Sequence, residues 1–494
     1  MTRVLAIDLG GSALKACLFD ADGSVAASAN AETGFEEKAP GNSEQEPAFW
    51  WEALTSACER IASENEGGLD GVAAVALCGF TRTQVFLDQA GRSVRPALGF
   101  RDSRAESVLA AVRRDEALCA DGVLAGLNAF HPTARLLWLK ENEAANWERT
   151  RLVLEPKDYL NLQLTGIARS DRVSQHWLAQ SLAGGDASVA ARLGIARALL
   201  PPLGRPEDIV GQVREGLAGA LGALAGAKVL CGSNDSWTAV AGLGGLKSGS
   251  AYCISGSSEV FGLLSHRRGE AEGLITIPWG EELWHLGGPG QNGANLLTWI
   301  VDWLDTTPRP FQERLAALLG EPENPRPLLF HPYLHGERTP FWDGDLAASF
   351  LGMTSGHGRG DLVRAVMQGV GFLNRTVLER AETATGLTAE AVRMAGGGTK
   401  SPIWNQMRAD ILGRPVLVSR HVEMGLAGCF ALCRVALGFA ENIGAAAPEA
   451  DFTSYLPHAA QHAHYDALYA LFTEMHEPVA HAARSLEKLR RGAS

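Results

Sequence analysis

The chain has 494 residues, of which 46% are hydrophobic and 20% charged, the composition of an ordinary globular protein of two or three domains. The formal net charge of −12 argues against electrostatic binding of nucleic acid. The eight cysteines are scattered and do not form a disulfide scaffold. The chain opens on a strand pattern without a leader, and its apolar runs are too short to span a bilayer, so we expect a cytoplasmic protein without a membrane anchor.

The first half of the chain predicts a β-meander followed by alternating helices and strands. Glycine turns at Gly10-Gly11 and Asp22-Gly23 separate short apolar runs. The predicted elements are strands over residues 4–7, 13–19 and 25–29, a helix over residues 49–64 and a strand over residues 72–78. Because helix and strand signals keep alternating to about residue 245, the sequence predicts an α/β layer architecture.

The opening pattern returns near the middle of the chain. A strand over residues 251–254, small residues at 255–258 and a return strand over 260–264 repeat the strand–turn–strand unit. The repeat indicates two similarly built domains. We place them at residues 1–246 and 247–494, with a helical C-terminal tail from about residue 440.

Three helices of the second half have recognisable ends. Residues 361–385 show helical periodicity, and Asp361 suits the positive N-terminal end. Ser401-Pro402 predicts an N-cap followed by proline at the first helical position, and Gly413 ends that helix. An alanine-rich helix is predicted over residues 426–437.

The segment from Asp8 to Lys15 is the first candidate site. Gly10 and Gly11 let backbone N–H groups approach a phosphate closely, and the Ser12 hydroxyl is a further donor. Asp8 suits Mg²⁺ beside those phosphates, and Lys15 can neutralise phosphate charge. The alternative is a plain β-hairpin with an exposed acid and a lysine that flanks the return strand.

Ser233-Asn234-Asp235-Ser236 is the second candidate site, between a strand at residues 229–230 and a helix from about residue 237. An aspartate there can accept the proton of a hydroxyl that attacks the γ-phosphate of ATP. Asn, Asp and Ser are also the preferred helix N-cap residues, so a purely structural capping role stays open for Asp235.

Two loops of the second half are weaker candidates. Gly397 and Gly398 lie between a strand at residues 392–394 and the helix capped by Ser401, where glycines and a helix start favour nucleotide phosphates. A glycine loop between strand and helix is also routine structure. Arg338 can contact a phosphate or pair with Glu337, and we favour the structural pairing.

These segments together resemble the FGGY family of carbohydrate kinases over nearly the whole chain. Residues 7–15 look like the family's D-x-G-T-x-x-x-K phosphate motif, with Ser12 in place of the usual Thr. Residues 130–142 follow the first family signature, with Arg135 where Lys is expected. Residues 348–368 follow the second signature throughout.

The resemblance implies the actin-like ATPase fold, which has two α/β domains of the ribonuclease H-like type and a catalytic cleft between them. It implies ATP and Mg²⁺ as cofactors, with Asp235 as the catalytic base and Asp8 as the acid near Mg²⁺. Asp235 is the second carboxylate that we assign to the metal. The residues that the resemblance assigns to the two phosphate loops and to ATP are Gly11, Ser12, Gly256, Ser257, Gly293, Gly397 and Ser401.

The substrate is predicted from shorter similarities. Residues 334–340 resemble the L-S-G-E-R-T-P stretch of xylulose kinases, but Thr81-Arg82 stands where those enzymes have a Met-His pair that touches the sugar. We therefore take Thr81, Arg82, Asp235 and Ser236 as substrate-binding candidates. A ketopentose such as D-xylulose ranks first, then another ketose or polyol, then an aldonate whose carboxylate Arg82 would bind. The alternative for Arg82 is that it pairs with a neighbouring acid.

A second class of function shares the fold. An actin-like ATPase clamp that acts on protein partners has the same predicted architecture, and fold alone does not decide between the two. The two kinase signatures, together with Asp8 and Asp235, favour the enzyme. Its predicted partners are a small sugar and ATP, with no nucleic acid and no membrane, and a homodimer is compatible with the family.

Overall fold

The protein is described by a computed structural model that covers residues 2–34, 36–39, 41–119, 124, 127–280, 282–420, 423–447 and 451–492. The chain divides into two compact units, Met1–Gly242 with Gly425–Pro448 and Leu243–Met424 with Glu449–Ser494. A segment from the second half of the sequence thus packs with the first unit. Within the described ranges, the helices are too short or too polar to cross a membrane.

A seven-stranded sheet forms the centre of the first unit. The strands are Arg3–Leu9, Ala13–Phe19, Val25–Glu32, Val72–Gly79, Ile209–Gln212, Lys228–Leu230 and Ser233–Asn234. The first three form the predicted antiparallel meander. Strand Val72–Gly79 runs parallel to Arg3–Leu9 on one side and to Lys228–Leu230 and Ser233–Asn234 on the other. The carboxyl ends of these parallel strands therefore meet at one edge of the sheet.

Helices and small sheets surround this centre. The helices are Pro47–Glu64, Glu106–Val112, Glu116–Cys119, Pro132–Asn142, Ala144–Arg149, Pro156–Thr165, His176–Leu182, Val189–Arg192, Asp235–Gly242, Met424–Ala436 and Ile443–Ala446. The short strands are Glu36–Ala39, Asn42–Gln45, Val85–Leu87, Ala97–Leu98, Leu152–Leu154, Ser170–Asp171 and Leu203–Gly204. One apolar core joins Leu5, Ile7 and Leu9 of the first strand to Trp50 and Leu54 of the first helix. Alternate residues of that strand, including Asp8, face the other side of the sheet.

The second unit repeats the topology of the first. Its seven strands, in spatial order, are Ile275–Pro278, Trp284–Pro289, Glu259–Ser265, Ala251–Ser255, Val392–Ala395, Val416–Ser419 and Phe452–Tyr455. The opening strand Ala251–Ser255 again pairs antiparallel with its successor and parallel with a strand that comes later in the chain. The predicted two-domain α/β fold with an internal repeat is confirmed.

Two helices of the second unit, Arg359–Thr385 and Pro402–Leu412, end where the sequence predicts. The helices of this unit are Ala294–Leu304, Phe311–Leu319, Arg359–Thr385, Pro402–Leu412 and Ala459–Gly492, and the short strands are Leu329–His331 and Ser349–Leu351. Ser401 Oγ accepts a hydrogen bond from the backbone N–H of Trp404, which confirms the N-cap. Gly413 ends that helix at φ 61°, in the left-handed region that favours glycine.

Candidate functional site

Asp8 lies near the end of the first strand, beside the turn that the sequence assigns to phosphate binding. Asp8 is directly opposite Lys15 in the antiparallel pair, so both side chains lie on the same face of the sheet. The turn is closed by a 3.0 Å hydrogen bond from Gly10 N–H to the Ala13 carbonyl. A Cβ on Gly10 would lie 2.8 Å from that carbonyl oxygen, so the turn requires glycine at this position.

The carbonyl groups of this turn are bound by Thr33, which directly follows the strand Val25–Glu32. Thr33 donates its hydroxyl to the Gly11 carbonyl at 2.8 Å and its N–H to the Ser12 carbonyl at 3.1 Å. Because a trans peptide directs its C=O and the following N–H to opposite sides, the Ser12 N–H points away from Thr33. Ser12 is exposed. The turn thus presents an amide and a hydroxyl to solvent, as a phosphate loop needs.

Asp235 follows the two-residue strand Ser233–Asn234 and begins the helix Asp235–Gly242. Asn234 Oδ1 accepts the N–H of Trp237 at 2.8 Å, so Asn234 makes the capping hydrogen bond. Asp235 Oδ1 instead accepts the N–H of Ser236 at 2.6 Å and its hydroxyl at 3.1 Å. The capping role that the sequence left open for Asp235 is therefore filled by its neighbour.

Asp8 and Asp235 flank the same strand at the same edge of the sheet. Asp8 is in register with Cys78, and Cys78 is in register with Ser233, two residues before Asp235. A hydrogen bond to Cys429 and burial raise the pKa of the Cys78 thiol, and the charges of Asp8 and Asp235 both add to that rise. One thiol is thus within electrostatic reach of both carboxylates. The structure therefore places the two acids near each other at one edge of the sheet.

The surroundings of Asp235 make its carboxyl group a stronger base than a free aspartate. Desolvation raises the pKa of Asp235 above its usual 3.8, and the hydrogen bonds from Ser236 oppose the rise. The residue nevertheless stays exposed to solvent, so an incoming hydroxyl can reach it. A general base benefits from this combination of a raised pKa and an accessible oxygen.

Thr81 and Arg82 follow the strand Val72–Gly79 and leave the sheet at the same edge. Arg82 has φ 58°, an uncommon value for a residue with a side chain. Its guanidinium carbon lies 5.7 Å from the centre of the Trp177 ring. Burial lowers the pKa of Arg82, and the charge of Glu155 opposes that change. The charge of an acid therefore reaches Arg82.

Glu155 and Trp177 are neighbours of this segment that sequence reasoning missed. Glu155 is buried, and its Oε2 accepts the N–H of Thr83 at 3.2 Å. Desolvation, followed by the charge of Asp158, raises the pKa of Glu155 to about 8. The carboxyl group beside Arg82 is therefore a weaker acid than a free glutamate. Glu155-Pro156 is visible in the sequence only as an ordinary helix start.

In the second unit, Gly256 and Ser257 form the turn that corresponds to the turn at Gly10-Gly11 in the repeated topology. Their carbonyls accept the N–H groups of Ala294 and Asn295 at 3.1 Å, which ties the turn to the start of the helix Ala294–Leu304. Gly293 lies against the same turn, because a Cβ there would be 2.9 Å from the Ser258 carbonyl carbon. Three residues assigned to ATP by resemblance therefore lie together.

Gly397 and Gly398 follow the strand Val392–Ala395, and Gly398 packs against the residue that precedes the Gly256-Ser257 turn. A Cβ on Gly398 would overlap Ser255 Oγ, next to Gly256. The Gly398 carbonyl accepts a hydrogen bond from Arg408 Nη1 at 3.2 Å. Ser401 has its hydroxyl engaged in the helix cap described above. The glycine segments of the second unit thus converge on residues 255–258.

A buried ion pair between Arg408 and Glu259 stabilises the turn at residues 255–258. Arg408 Nη2 pairs with Glu259 Oε1 and also donates to Ser255 Oγ at 3.0 Å. Ser255 in turn donates to Glu259 at 2.5 Å, and Asn374 donates to the other carboxylate oxygen at 2.7 Å. Arg408 and Glu259 are buried. Since both carboxylate oxygens and the guanidinium have partners, the pair fixes the turn at residues 255–258.

Arg338 is held by protein groups. Its Nη2 donates to the Gly290 carbonyl at 2.5 Å, and its N–H donates to Glu337 Oε1 at 2.9 Å. Burial raises the pKa of Glu337 to about 7, against the hydrogen bond from Asn292 and the charge of Arg338. This arrangement agrees with the structural role favoured from the sequence.

Alanine substitutions at Gly397 and Gly398 distinguish a glycine needed for packing from one that could contact the nucleotide. We expect Gly398→Ala to lower the free energy of unfolding by about 1–3 kcal/mol, because the methyl group overlaps Ser255. Gly397→Ala should leave stability nearly unchanged, since no described protein atom lies within 4 Å of a Cβ there. Chemical denaturation compares the two. A raised KM for ATP in Gly397→Ala alone would place the nucleotide beside Gly397, and equal destabilisation of both variants would contradict the packing described here.

A metal ion would have few protein ligands here. Among the described residues, no group of three or more His, Cys, Asp or Glu side chains could hold a metal ion. Asp8 fits a different arrangement, since Mg²⁺ in kinases is bound by one or two carboxylates together with substrate phosphates. A Cβ on Gly425 would lie 2.7 Å from Asp8 Oδ2, so the glycine leaves space beside this oxygen.

Comparisons with known proteins agree with this geometry. Residues 3–242 match the N-terminal domain, and residues 251–437 the C-terminal domain, of the FGGY family of carbohydrate kinases. The chain is 28% identical to a xylulose kinase of Escherichia coli (strain K12) over 96% of this chain and 98% of the relative. It is 30% identical to a xylulose kinase of Klebsiella pneumoniae over 83% of this chain and 84% of the relative.

Solved structures support the same assignment. A xyloylose kinase from Brucella ovis has a TM-score of 0.85 at 27% identity, with 97% of this chain and 99% of that chain covered. The family domains together span most of the sequence, in the order that the two kinase signatures predict. The chain belongs to the FGGY family of carbohydrate kinases.

Proposed function

We propose that this carbohydrate kinase transfers the γ-phosphate of ATP to a hydroxyl of a ketopentose such as D-xylulose, with Asp235 as the general base. The observation that carries the base assignment is the hydrogen bond from Trp237 N–H to Asn234, which leaves the Asp235 carboxylate out of the helix cap. Asp235 also has a raised pKa, stays accessible and lies at the same sheet edge as Asp8.

The proposed reaction is a direct phosphoryl transfer. Asp235 accepts the proton of the sugar hydroxyl as its oxygen attacks the γ-phosphorus, and ADP leaves. In the first unit, the Ser12 N–H and hydroxyl are donors for phosphate oxygens. In the second unit, Gly256, Ser257, Gly293 and Gly397 form a close-approach surface for the nucleotide. Asp8 would hold Mg²⁺, with Asp235 as the second carboxylate, and the metal would neutralise charge on the phosphates.

D-Xylulose ranks first because the relatives reported above are named xylulose kinases and the segment at residues 334–340 resembles theirs. The test is to incubate the protein with ATP, Mg²⁺ and D-xylulose and to follow the products by mass spectrometry. A pentulose monophosphate and ADP in equal amounts are expected. ADP without phosphorylated sugar would show hydrolysis rather than transfer, and would remove D-xylulose as the substrate.

A sugar acid is the second candidate, and Arg82 is the observation that favours it. Its guanidinium lies over Trp177, and desolvation raises the pKa of its acidic neighbour Glu155 to about 8, which favours the neutral form of that acid. A guanidinium beside an acid that ionises less readily than usual can bind the carboxylate of a substrate. The arrangement therefore also suits an aldonate.

Exchange of Arg82 distinguishes the two substrate classes. If the substrate is an aldonate, Arg82→Met should lower kcat/KM by about 10- to 10²-fold, since a charged hydrogen bond to the substrate is worth about 1.5–3 kcal/mol. With D-xylulose the change should stay within about fivefold. Steady-state kinetics on both sugars measures this. Arg169→Met is the matched control, because Arg169 pairs with Asp208 in the same unit. An equal loss on both sugars would assign Arg82 to structure.

We also propose a cytoplasmic location, where ATP and small sugars are supplied, and a homodimer as the assembly to test. Size-exclusion chromatography with light scattering distinguishes a dimer from a monomer of 52.5 kDa. Neither proposal bears on the chemistry of Asp235.

A further inference from the structure

Lys157 is a completely buried charge in the first turn of the helix Pro156–Thr165. Its Nζ lies 2.5 Å from Asp158 Oδ1 and 2.9 Å from Asp171 Oδ2, and both aspartates are also completely buried. It donates a third contact, at 3.2 Å, to the backbone carbonyl of Cys231. Burial alone would lower the pKa of Lys157, but Asp158 and Asp171 outweigh it and raise the pKa. Lys157 is therefore charged.

The Lys157 cluster is hydrogen-bonded to residues 230–233, which lie just before Asp235 in the chain. Lys157 holds the Cys231 carbonyl, and Asp171 Oδ1 accepts the Ser233 hydroxyl at 2.9 Å. Asn161, one turn further along the same helix, donates to the carbonyls of Leu230 and Cys231 at 3.1 Å. Asp171 is itself fixed by the N–H groups of Val173 and Ser174. The segment at residues 230–233 is thus attached to the buried charges at several points.

The backbone of that segment has little freedom of its own. Gly232 has φ 67°, and a Cβ there would overlap the Leu77 carbonyl oxygen in the adjacent strand. Ser233 and Asn234 are the last residues that pair with the sheet before Asp235. Any shift of the segment at residues 230–233 therefore moves the Asp235 carboxylate directly.

Stability alone does not require three charges in such a place. Apolar side chains of similar volume often replace a buried ion cluster without loss of stability, whereas the cluster here makes several directional hydrogen bonds that apolar side chains could not make. Lys157 also acts electrostatically on Glu155, whose carboxyl Oε2 accepts the N–H of Thr83 beside Arg82. One buried lysine thus contacts the Asp235 segment and influences the acid next to the candidate sugar segment.

We propose that Lys157, through Asp171, Ser233 and the Cys231 carbonyl, is a positioning residue that holds Asp235 in its reactive place. The inference rests on the proposed role of Asp235 as base. Lys157 does not touch the substrate, and it acts only through the geometry of the segment that carries Asp235. A displacement of about 1 Å at a reacting group can reduce a rate about 10²-fold.

The test is a double-mutant cycle between Lys157 and Asp235. Lys157→Met should lower kcat for sugar phosphorylation about 10²-fold, with KM for ATP and for the sugar changed less than about threefold. In an Asp235→Ala background the same exchange should cause little further loss, because the two residues act as one unit. Leu160→Ala is the matched control on the same helix: Leu160 is buried in the apolar core, so the exchange lowers thermal stability but should leave kcat at permissive temperature unchanged.

Ser233→Ala is a second, milder variant that keeps the test decisive if Lys157→Met does not fold. It removes only the hydroxyl that joins Asp171 to the Asp235 segment, and kcat should fall about 5–10-fold at unchanged KM. Additive losses in the cycle, or parental kcat in Ser233→Ala, would overturn the positioning role. Parental activity in Asp235→Ala itself would instead show that the base is wrongly assigned, so the two failures are distinguishable.

Discussion

Replacement of Asp235 with alanine is expected to lower kcat for sugar phosphorylation by about 10²–10⁴-fold, the range that a positioned general base contributes. The loss should appear in kcat and not in the KM for ATP, because the residues assigned to the nucleotide lie mainly on other segments. Coupled measurement of ADP release with saturating sugar gives both constants. Asp70→Ala is a matched control, because Asp70 is an exposed acid in a turn of the same unit.

The pH profile tests the same assignment independently. The base must be ionised to accept a proton, so kcat/KM should fall as the pH drops through the pKa of Asp235. Desolvation raises that pKa above 3.8, and the acidic limb should therefore lie above the value of a free aspartate. Asp235→Asn should lose the limb as well as the rate. An unchanged limb in Asp235→Asn, or near-parental turnover in Asp235→Ala, would assign the base to another group.

Replacement of Arg408 with methionine is expected to lower the free energy of unfolding by about 3–5 kcal/mol, because it leaves the buried Glu259 carboxylate without its partner. The Arg408 guanidinium carbon lies 3.9 Å from the centre of the Trp404 ring, and methionine keeps most of the side-chain volume there, so lost packing contributes little. The exchange also frees Ser255 and the turn at residues 255–258, and a raised KM for ATP should accompany the loss of stability. Urea denaturation followed by circular dichroism measures the free energy.

Two comparisons decide whether the buried charge is the cause. Adding Glu259→Gln to Arg408→Met should recover part of the stability, since the uncompensated charge is removed. Arg420→Met breaks an ion pair with Asp451 in which both side chains are more than half exposed, at 62% and 54%, and should cost at most about 1 kcal/mol. If Arg408→Met and Arg420→Met lower the free energy of unfolding equally, the burial of the Arg408–Glu259 pair is not the cause of the loss.

Local signals in the sequence predicted the elements and their ends. Ser401, Pro402 and Gly413 mark a helix that begins and ends where expected, because capping depends on a few adjacent residues. The repeat of strand, small-residue turn and strand predicted two domains of one topology, and the two sheets show it. The turn at Gly10-Gly11 is likewise a local event.

Other features depend on contacts between distant segments. Among Asn234, Asp235 and Ser236, each a good cap, only the structure shows that Asn234 makes the capping bond. Glu155 meets Thr83 across 72 residues of sequence, and Lys157 is buried although lysine is usually exposed. Nothing local marks residues 425–447 as part of the first unit either, because an alanine-rich helix packs equally well on any apolar face.

The most direct test of the proposed function is the steady-state rate of ADP release with ATP, Mg²⁺ and a panel of pentuloses, hexuloses, polyols and aldonates, each compared with water as the only acceptor. One ketopentose, first of all D-xylulose, is expected to raise turnover well above the rate with water, and Asp235→Ala should abolish that rise. Stimulation by an aldonate alone would move the substrate class to the sugar acids. A folded protein that hydrolyses ATP at the same slow rate with every sugar would contradict the proposed ketopentose kinase.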